Sequence, residues 1–285
     1  MYFIIGLVIV GGCVVGGYLG AGGHLDVLWQ PFEFVIIFGA AIGAFIIANP
    51  KAILTGVARS FSKILKGPKY NKNSYLEVLG MMHSIFKLAK TKGDLALESH
   101  IEQPQESSIF RNSPTFTADH HALNFVCDYL RLLTLGSTNP HEIEAVMEAE
   151  LEIHHGETHA IAAALQTVAD GLPALGIVAA VLGVIHTMGS ITEPPEVLGH
   201  LIGGALVGTF TGVLAAYGFV APIAKSLENT FEAESRYLEC IKTGLIAHMQ
   251  GYAPQVSVEI ARKALNLNIR PSFTELDELI QNNPN

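Results

Sequence analysis

Charged residues are scarce in this sequence and unevenly placed. Only 15% of the 285 residues are Asp, Glu, Lys or Arg, whereas 49% are hydrophobic. Two long stretches, residues 171–192 and 197–224, contain none of the four charged residue types. A chain with this composition is typical of a membrane protein rather than of a water-soluble domain.

Other features that the sequence lacks argue against several classes of function. The net charge of −9 argues against a nucleic-acid partner. The three cysteines, Cys13, Cys127 and Cys240, are scattered and form no CxxC pair, so no disulfide framework is expected and the cytoplasmic face is predicted to be reducing. The sequence contains no glycine-rich phosphate loop and no recognisable nucleophile motif, and an enzyme is therefore not expected.

The two uncharged stretches predict a transmembrane hairpin over residues 171–224. Each is long enough to cross about 30 Å of hydrocarbon as a helix. The link Glu193–Glu196 contains two prolines, which break the helix and turn the chain back. Small residues recur at about every fourth position of both helices and indicate close helix packing: Gly176, Ala180, Gly183, Thr187, Gly204, Gly208, Gly212 and Ala216. Since neither span holds a carboxylate or a lysine, an ion-titrating group would be expected on another chain.

Two further spans precede the hairpin. Residues 1–23 are apolar, and no Lys or Arg comes before Lys51, so a retained first transmembrane helix is favoured over a signal peptide. A second helix is predicted from about Pro31 to Ala48. Glu33 at its entrance is open to two interpretations, an ion-collecting carboxylate or, as favoured here, an acid placed by the helix dipole.

Charge asymmetry predicts the topology. Six basic residues and no acid lie in residues 51–72, whereas the two short links contain no Lys or Arg. The positive-inside rule then puts both termini in the cytoplasm and both links outside. The predicted division is 1–50 (first and second spans), 51–170 (helical cytoplasmic domain), 171–224 (third and fourth spans) and 225–285 (cytoplasmic helices and tail).

The cytoplasmic part is predicted to be helical, so the fold class is all-α with four transmembrane helices. Apolar periodicity covers 74–102, a second helix is expected over 118–135, and a long helix opening at Pro140 can run into the membrane at Gly171. The acidic stretch 142–157 indicates a solvated face in preference to a docking surface for a basic partner. His154, His155 and His159 include an i, i+4 pair, but a solvated histidine face is favoured over a metal site.

Five segments resemble the MotA family of flagellar motor stator subunits, and the resemblance extends over essentially the whole chain. Their order and spacing agree as well. The hairpin alone would be less decisive, because the related ExbB and TolQ subunits share its architecture. The five are IEQPQESSIF (101–110), NPHEIEAVMEAELE (139–152), GLPALGIVAAVLGVIHTMGS (171–190), LVGTFTGVLAAYGFVAPIA (206–224) and GYAPQVSVEIARKAL (251–265).

The resemblance implies partners and a mechanism. Five such subunits would surround a pair of MotB helices in the bacterial inner membrane, and MotB would supply the ion-binding aspartate. Ion flow would drive rotation of the ring, and the cytoplasmic domain would push on the rotor protein FliG. No cofactor is implied; the translocated species would be a proton.

The resemblance also implies site residues. Pro173 and Pro222 match two prolines near the cytoplasmic ends of the third and fourth spans, where each removes a backbone donor and can kink a helix. Thr209 matches a pore-facing threonine. Ala180 matches a position that is Thr in sodium-driven relatives, and its methyl group offers sodium no oxygen ligand, which favours protons.

Rotor contact is implied for two charged residues. Glu98 matches the rotor-facing acid of the family. Lys90 occupies a position that is Arg in the better-known pattern of the family. The positive charge is therefore kept, but the two parallel hydrogen bonds that a guanidinium can donate are lost.

Three other functions are less favoured. An ExbB/TolQ-like energiser of outer-membrane processes would normally have three spans, and a sodium-driven stator would carry Thr at position 180. A solute transporter would show inverted repeats and polar groups at the midplane of the bilayer.

Overall fold

The structure is a computed structural model that describes residues 2–66, 69–136 and 139–282. Over these ranges the regular structure is helical throughout and contains no strand. Four helices are long and apolar enough to cross a membrane: Phe3–Gly20, Leu25–Ala48, Pro140–Met188 and Pro195–Met249. The predicted all-α fold with four candidate membrane helices is confirmed.

The chain forms two compact units. The first unit comprises Met1–Gly67 and Glu157–Phe231, and the second comprises Pro68–Gly156 and Glu232–Asn285. The predicted boundaries at 50, 170 and 224 were drawn along the chain at the edges of the apolar runs, and they stay predictions.

The first two spans of the first unit are helical where the sequence predicts them. The first is the helix Tyr2–Gly20, and a short turn of helix, Leu25–Leu28, follows. The second starts with Pro31–Phe34, widens into a π-helical turn at Val35–Gly39 and ends with Ala40–Ala48. Pro31 opens this span because a proline lacks only an N–H that the first turn of a helix leaves unpaired anyway.

The hairpin forms as predicted. The third helix, Pro140–Met188, passes through Gly171 without a break, and the expected continuation into the apolar stretch is confirmed. Pro194 caps the returning helix Pro195–Val213. A π-helical turn, Leu214–Val220, follows, and Ala221–Met249 continues the same run.

Glycines let the two hairpin helices touch through their backbones. A Cβ atom placed on Gly176 would lie 2.7 Å from the carbonyl oxygen of Gly208, and one placed on Gly212 would lie 2.6 Å from that of Leu172. Distances below 3.0 Å to rigid backbone atoms leave no room for any side chain. The spacing of small residues therefore identifies the contact face correctly, as expected for helices that associate by van der Waals packing.

The helix Lys51–Lys66 packs within the first unit. Its buried Val57 contacts Leu165 and Ala224, and its buried Ile64 belongs to a cluster with Ala162 and Leu227. The basic residues therefore belong to a helix that also has an apolar face, and the third and fourth helices cover that face. This amphipathic arrangement accounts for a segment that carries several cations and is nonetheless folded.

The second unit has its own apolar core. Helices Lys72–Lys92, His120–Thr134, Pro254–Lys263 and Phe273–Asn282 contribute to it, together with the short helices Glu98–Glu102, Ser108–Arg111 and Pro114–Thr117. The largest fully buried side chains in this core are Tyr75, Leu79, Met82, Ile85, Phe86, Leu97, Ile101, Phe110, Phe116, Leu130 and Tyr237. The helix predicted over 118–135 is confirmed at His120–Thr134.

The periodic stretch 74–102 is not one helix. Lys72–Lys92 ends at Gly93, whose φ of +83° suits a residue without a side chain. A 3₁₀ turn, Asp94–Leu97, then leads into Glu98–Glu102. The apolar pattern continues across the break because Leu97 and Ile101 return to the same core, so periodicity alone could not reveal the corner.

A buried carboxylate joins three segments of the second unit. Asp119 is 5% exposed, accepts a hydrogen bond from the Tyr70 hydroxyl, pairs with Lys69 Nζ at 2.8 Å and caps the helix that follows it. The Tyr70 ring stacks on Tyr237 with centroids 3.8 Å apart. Burial opposes ionisation of Asp119, but the hydrogen bonds from Lys69 and Tyr70 outweigh it and hold the pKa of this carboxyl below its usual value.

Candidate functional site

Two of the predicted ion-path residues lie at one level of the hairpin. The backbone nitrogen of Ala180 is 3.0 Å from the Cβ position of Gly208, the residue before Thr209. Both Ala180 and Thr209 are half-buried within this single chain. Among the residues that the structure describes, nothing engages the Thr209 hydroxyl, which leaves its oxygen able to contact water or an ion.

The two predicted prolines lie in different local settings. Pro173 is half-buried inside the helix Pro140–Met188, and its neighbour Leu172 packs against Gly212. Pro222 is exposed and comes two residues after the π-helical turn Leu214–Val220. In an α-helix, proline lacks the N–H donor and clashes with the carbonyl one turn earlier. The widened turn just before Pro222 accommodates both effects. The structure brings neither proline into contact with Thr209.

Glu33 has surroundings that its position in the sequence does not indicate. Its Oε1 lies 3.2 Å from the Cβ position of Gly183, and its Oε2 lies 2.9 Å from that of Gly208. Oε2 is buried and accepts no hydrogen bond from the described part of the chain. The carboxyl group fills the notch left by two glycines of the hairpin, at the level of Ala180. The helix-dipole interpretation therefore describes where Glu33 sits along its helix but not what its carboxyl touches.

The predicted rotor-contact residues flank the corner at Gly93. Lys90 is exposed in the last turn of Lys72–Lys92, and Glu98 is exposed at the start of Glu98–Glu102. Leu97, only 1% exposed, anchors the turn between them. Within the described ranges neither charge takes part in an ion pair. The corner thus presents two opposite charges that are available to a partner.

The histidine-rich segment shows a ring contact. The His121 and His154 rings stack with centroids 4.5 Å apart. Across the ranges that the structure describes, no three His, Cys, Asp or Glu side chains converge in a way that could hold a metal ion. His155 and His159 are exposed, and all three histidines of the segment interact with other groups of the chain.

These features define a multi-pass α-helical membrane protein with a small-residue hairpin and a separate helical unit. Residues 4–93 match the family described as "Motility protein A N-terminal", and residues 118–240 match the "MotA/TolQ/ExbB proton channel family". The chain belongs to the motility protein A family. Both matched families are channel and motility families, not enzymes.

Whole-chain relatives support this assignment. Motility protein A of Salmonella typhimurium is 42% identical over 287 residues, which cover 100% of this chain and 97% of the relative. Motility protein A of Escherichia coli is 43% identical, with coverage of 99% and 95%. The Bacillus subtilis flagellar MotAB stator complex has a similar fold, with a TM-score of 0.77, 24% identity and coverage of 95% and 98%. A C. jejuni MotAB structure gives a TM-score of 0.79 at 21% identity, with coverage of 95% and 98%.

Proposed function

We propose that this chain is the stator subunit of a flagellar motor, in which it assembles with MotB into a proton-conducting complex of the inner membrane. The observation that carries the proposal is the pair of uncharged spans, residues 171–192 and 197–224, in a chain 42–43% identical to motility protein A. The spans of the hairpin hold no Asp, Glu, Lys or Arg, and the Glu33 carboxyl of the second span packs against the hairpin glycines, so the titrating acid of the ion path is proposed to come from a partner. MotB, with a membrane aspartate, meets that need.

The hairpin geometry supports a closed ring of copies. Large apolar side chains of the third and fourth spans remain exposed in the single chain, among them Ile177, Val181, Ile185, Leu206 and Phe210. Some of these side chains face lipid, and the rest would be covered by neighbouring copies and by MotB. Five copies around two MotB helices, with both termini in the cytoplasm, is the arrangement proposed here.

Protons are proposed as the transported ion. Ala180 contributes only a methyl group at this level of the hairpin, where Thr209 carries a hydroxyl and Glu33 a carboxyl, so the chain lacks the further oxygen ligand that Thr at position 180 would provide. A sodium ion requires several oxygen ligands after it sheds its water. A sodium-driven stator is the alternative, and dependence of motility on sodium would favour it.

Co-expression with MotB tests the proposed complex. We expect the two chains to co-purify from membranes in a fixed ratio, and the expressing cells to acidify faster than cells with a MotB Asp→Asn variant. Acidification should be the same in sodium-free and sodium-containing buffer. An isolated chain that conducts protons without MotB, or a complex formed only with an ExbD-like partner, would contradict the proposal.

Charge reversal at the Gly93 corner tests the proposed contact with FliG. We expect Glu98→Lys to lower motor torque severalfold, because it places a cation where the rotor surface meets an anion. A compensating charge reversal in FliG should restore part of the torque. Glu106→Lys is the matched control, since Glu106 is also exposed and makes no ion pair among the described residues. Equal torque in the two variants would show that Glu98 does not take part in the contact with FliG.

A further inference from the structure

The helix Lys51–Lys66 runs between the ends of the first two spans. It begins three residues after Ala48, the last residue of the second span. Near its other end, Ile64 belongs to the cluster against which Phe3, at the start of the first span, is packed. Because the first span begins on the side of the membrane at which the second span ends, both ends of this helix lie at the level of the same membrane surface.

The crossing with the third helix agrees with this orientation. Val57 clusters with Leu165, and Ile64 clusters with Ala162. From Val57 to Ile64 the helix Lys51–Lys66 advances about 10 Å along its own axis, whereas from Leu165 to Ala162 the third helix advances about 4.5 Å. The two helices therefore cross at a steep angle, as expected when one lies along a membrane surface and the other spans the membrane.

The outward face of this surface helix is basic. Val57 and Ile64 are buried on its packed face, whereas Lys51 and Arg59 are exposed. Neither cation forms an ion pair with any residue that the structure describes, and residues 49–66 contain no Asp or Glu. Two unpaired cations at the level of a membrane surface are complementary in charge to the phosphate groups of anionic lipids.

An apolar cleft of about 140 Å³ lies beside the start of this helix, between the second span and the third helix. Ala44 and Ala48 line it and are exposed, so lipid can enter. Asn49 lines it as well, which places the Lys51 backbone within about 8 Å of the cleft. A cavity of about 150 Å³ can hold a benzene molecule, so this cleft can take part of an acyl chain. Further apolar walls come from Phe45, Ala164, Val168 and Leu175.

We propose that an anionic phospholipid binds at this place, with part of an acyl chain in the cleft and its phosphate against the Lys51 ammonium. Arg59 adds a second cation along the same headgroup layer. Long basic side chains suit this role because their stems lie on apolar surface while their charged ends reach the headgroups. Phe61, 46% exposed on the same helix, supplies an apolar ring of the kind that interfacial helices bury. The inference goes beyond the proposed function, since it requires that the chain spans a membrane and not that it drives a motor.

Thermal unfolding of the full-length chain in an uncharged detergent tests the headgroup contact. Added phosphatidylglycerol should raise the unfolding temperature, whereas phosphatidylcholine, which has no net charge, should have little effect. Half of the rise should need about fivefold more phosphatidylglycerol in Lys51→Gln or in Arg59→Gln, and about thirtyfold more in the double variant. Equal stabilisation by the two lipids would overturn the proposal.

Two controls accompany these variants. Lys92→Gln combined with Arg111→Gln removes one Lys and one Arg from the second unit, where both are exposed and pair with no described acid, and should leave the phosphatidylglycerol requirement unchanged. Lys51→Arg combined with Arg59→Lys keeps both charges and should stay within about twofold of the unchanged protein, because the recognition is electrostatic. The same requirement in the Gln variants as in these controls would contradict the role of the two cations.

Filling the cleft tests the acyl-chain contact. Ala44→Phe places a ring in the cleft and should raise the phosphatidylglycerol requirement about tenfold, close to the loss of two methylene contacts. Ile47→Phe is the matched control, since Ile47 is 88% exposed on the same span and does not line the cleft. An unchanged requirement in Ala44→Phe would show that no acyl chain occupies the cleft and would overturn the site.

Inorganic phosphate separates a lipid from a free anion. It carries the same charged group without an acyl chain, so it should not replace phosphatidylglycerol. An unfolding temperature raised equally by both would overturn a lipid as the occupant. Failure of the proposed stator function would appear instead as loss of the MotB complex or of proton flux, and it would leave these lipid measurements unaffected.

Discussion

Gly212→Val is expected to abolish motility. A Cβ atom on Gly212 would lie 2.6 Å from the carbonyl oxygen of Leu172 and 2.8 Å from the Cα of Gly176. Both contacts are with the backbone of a helix, which cannot rotate away as a flexible side chain can. The two hairpin helices must separate at the level next to Pro173, and the packing that holds them in the bilayer is lost. Motility in soft agar and the amount of protein in membranes measure the effect.

Gly199→Val is the matched control for this substitution. Gly199 lies near the start of the same returning helix, and a Cβ placed there meets no other atom of the chain within 4 Å. The control should insert into membranes and assemble with MotB as the unchanged protein does. A Gly212→Val protein that swims at normal speed would show that the hairpin helices do not pack as described.

Asp119→Ala is expected to destabilise the second unit by about 2–4 kcal/mol. The substitution removes the cap of the helix His120–Thr134 and leaves the hydroxyl of the half-buried Tyr70 without its acceptor. Hydrogen exchange of the amides in that helix, in the purified complex with MotB, measures the loss locally. Asp128→Ala serves as a control, because Asp128 is exposed and, among the described residues, its ion pair is with Arg131 one turn along the same helix. Equal protection in both variants would contradict the role of Asp119.

The same network predicts a pH dependence. Because hydrogen bonds from Lys69 and Tyr70 hold the folded-state pKa of Asp119 below its usual value, ionised Asp119 stabilises the fold at neutral pH. That contribution is complete above the unfolded-state pKa of about 3.9 and is lost as pH falls through the lower folded-state pKa. The difference in helix protection between the unchanged protein and Asp119→Asn should therefore shrink below about pH 4. A difference that grows with acidity would contradict this sign.

Features encoded locally could be predicted from the sequence, and features that join distant segments could not. The spacing of Gly176, Gly208 and Gly212 marks the contact face of the hairpin because a helix repeats every 3.6 residues. The corner at Gly93 was missed because the apolar period continues through it. A Tyr70–Asp119 hydrogen bond across 49 positions leaves no local signal, and neither does the meeting of Glu33 with Gly208.

The candidate site shows the same limit. Residues Pro173, Ala180, Thr209 and Pro222 were identified by resemblance to a family, and the structure adds which of them lie at one level. The His248 ring stacks on Phe86, and this contact depends on how Ala221–Met249 docks against Lys72–Lys92. The periodicity of the sequence does not predict this docking, because His248 occupies an ordinary helical position.

The π-helical turn Leu214–Val220 allows one uninterrupted helix to pack against two neighbouring helices. Each residue of an α-helix advances the side-chain direction by about 100°, so one extra residue in a wide turn offsets everything beyond it by about that angle. Before the turn, Gly208 and Gly212 face the third span. After it, Ala224 and Leu227 join clusters that include Val57 and Ile64 of the helix Lys51–Lys66 together with residues of the third helix. A substitution that returned this turn to ordinary α-geometry would swing one of these faces away from its neighbour without changing a single contacting residue.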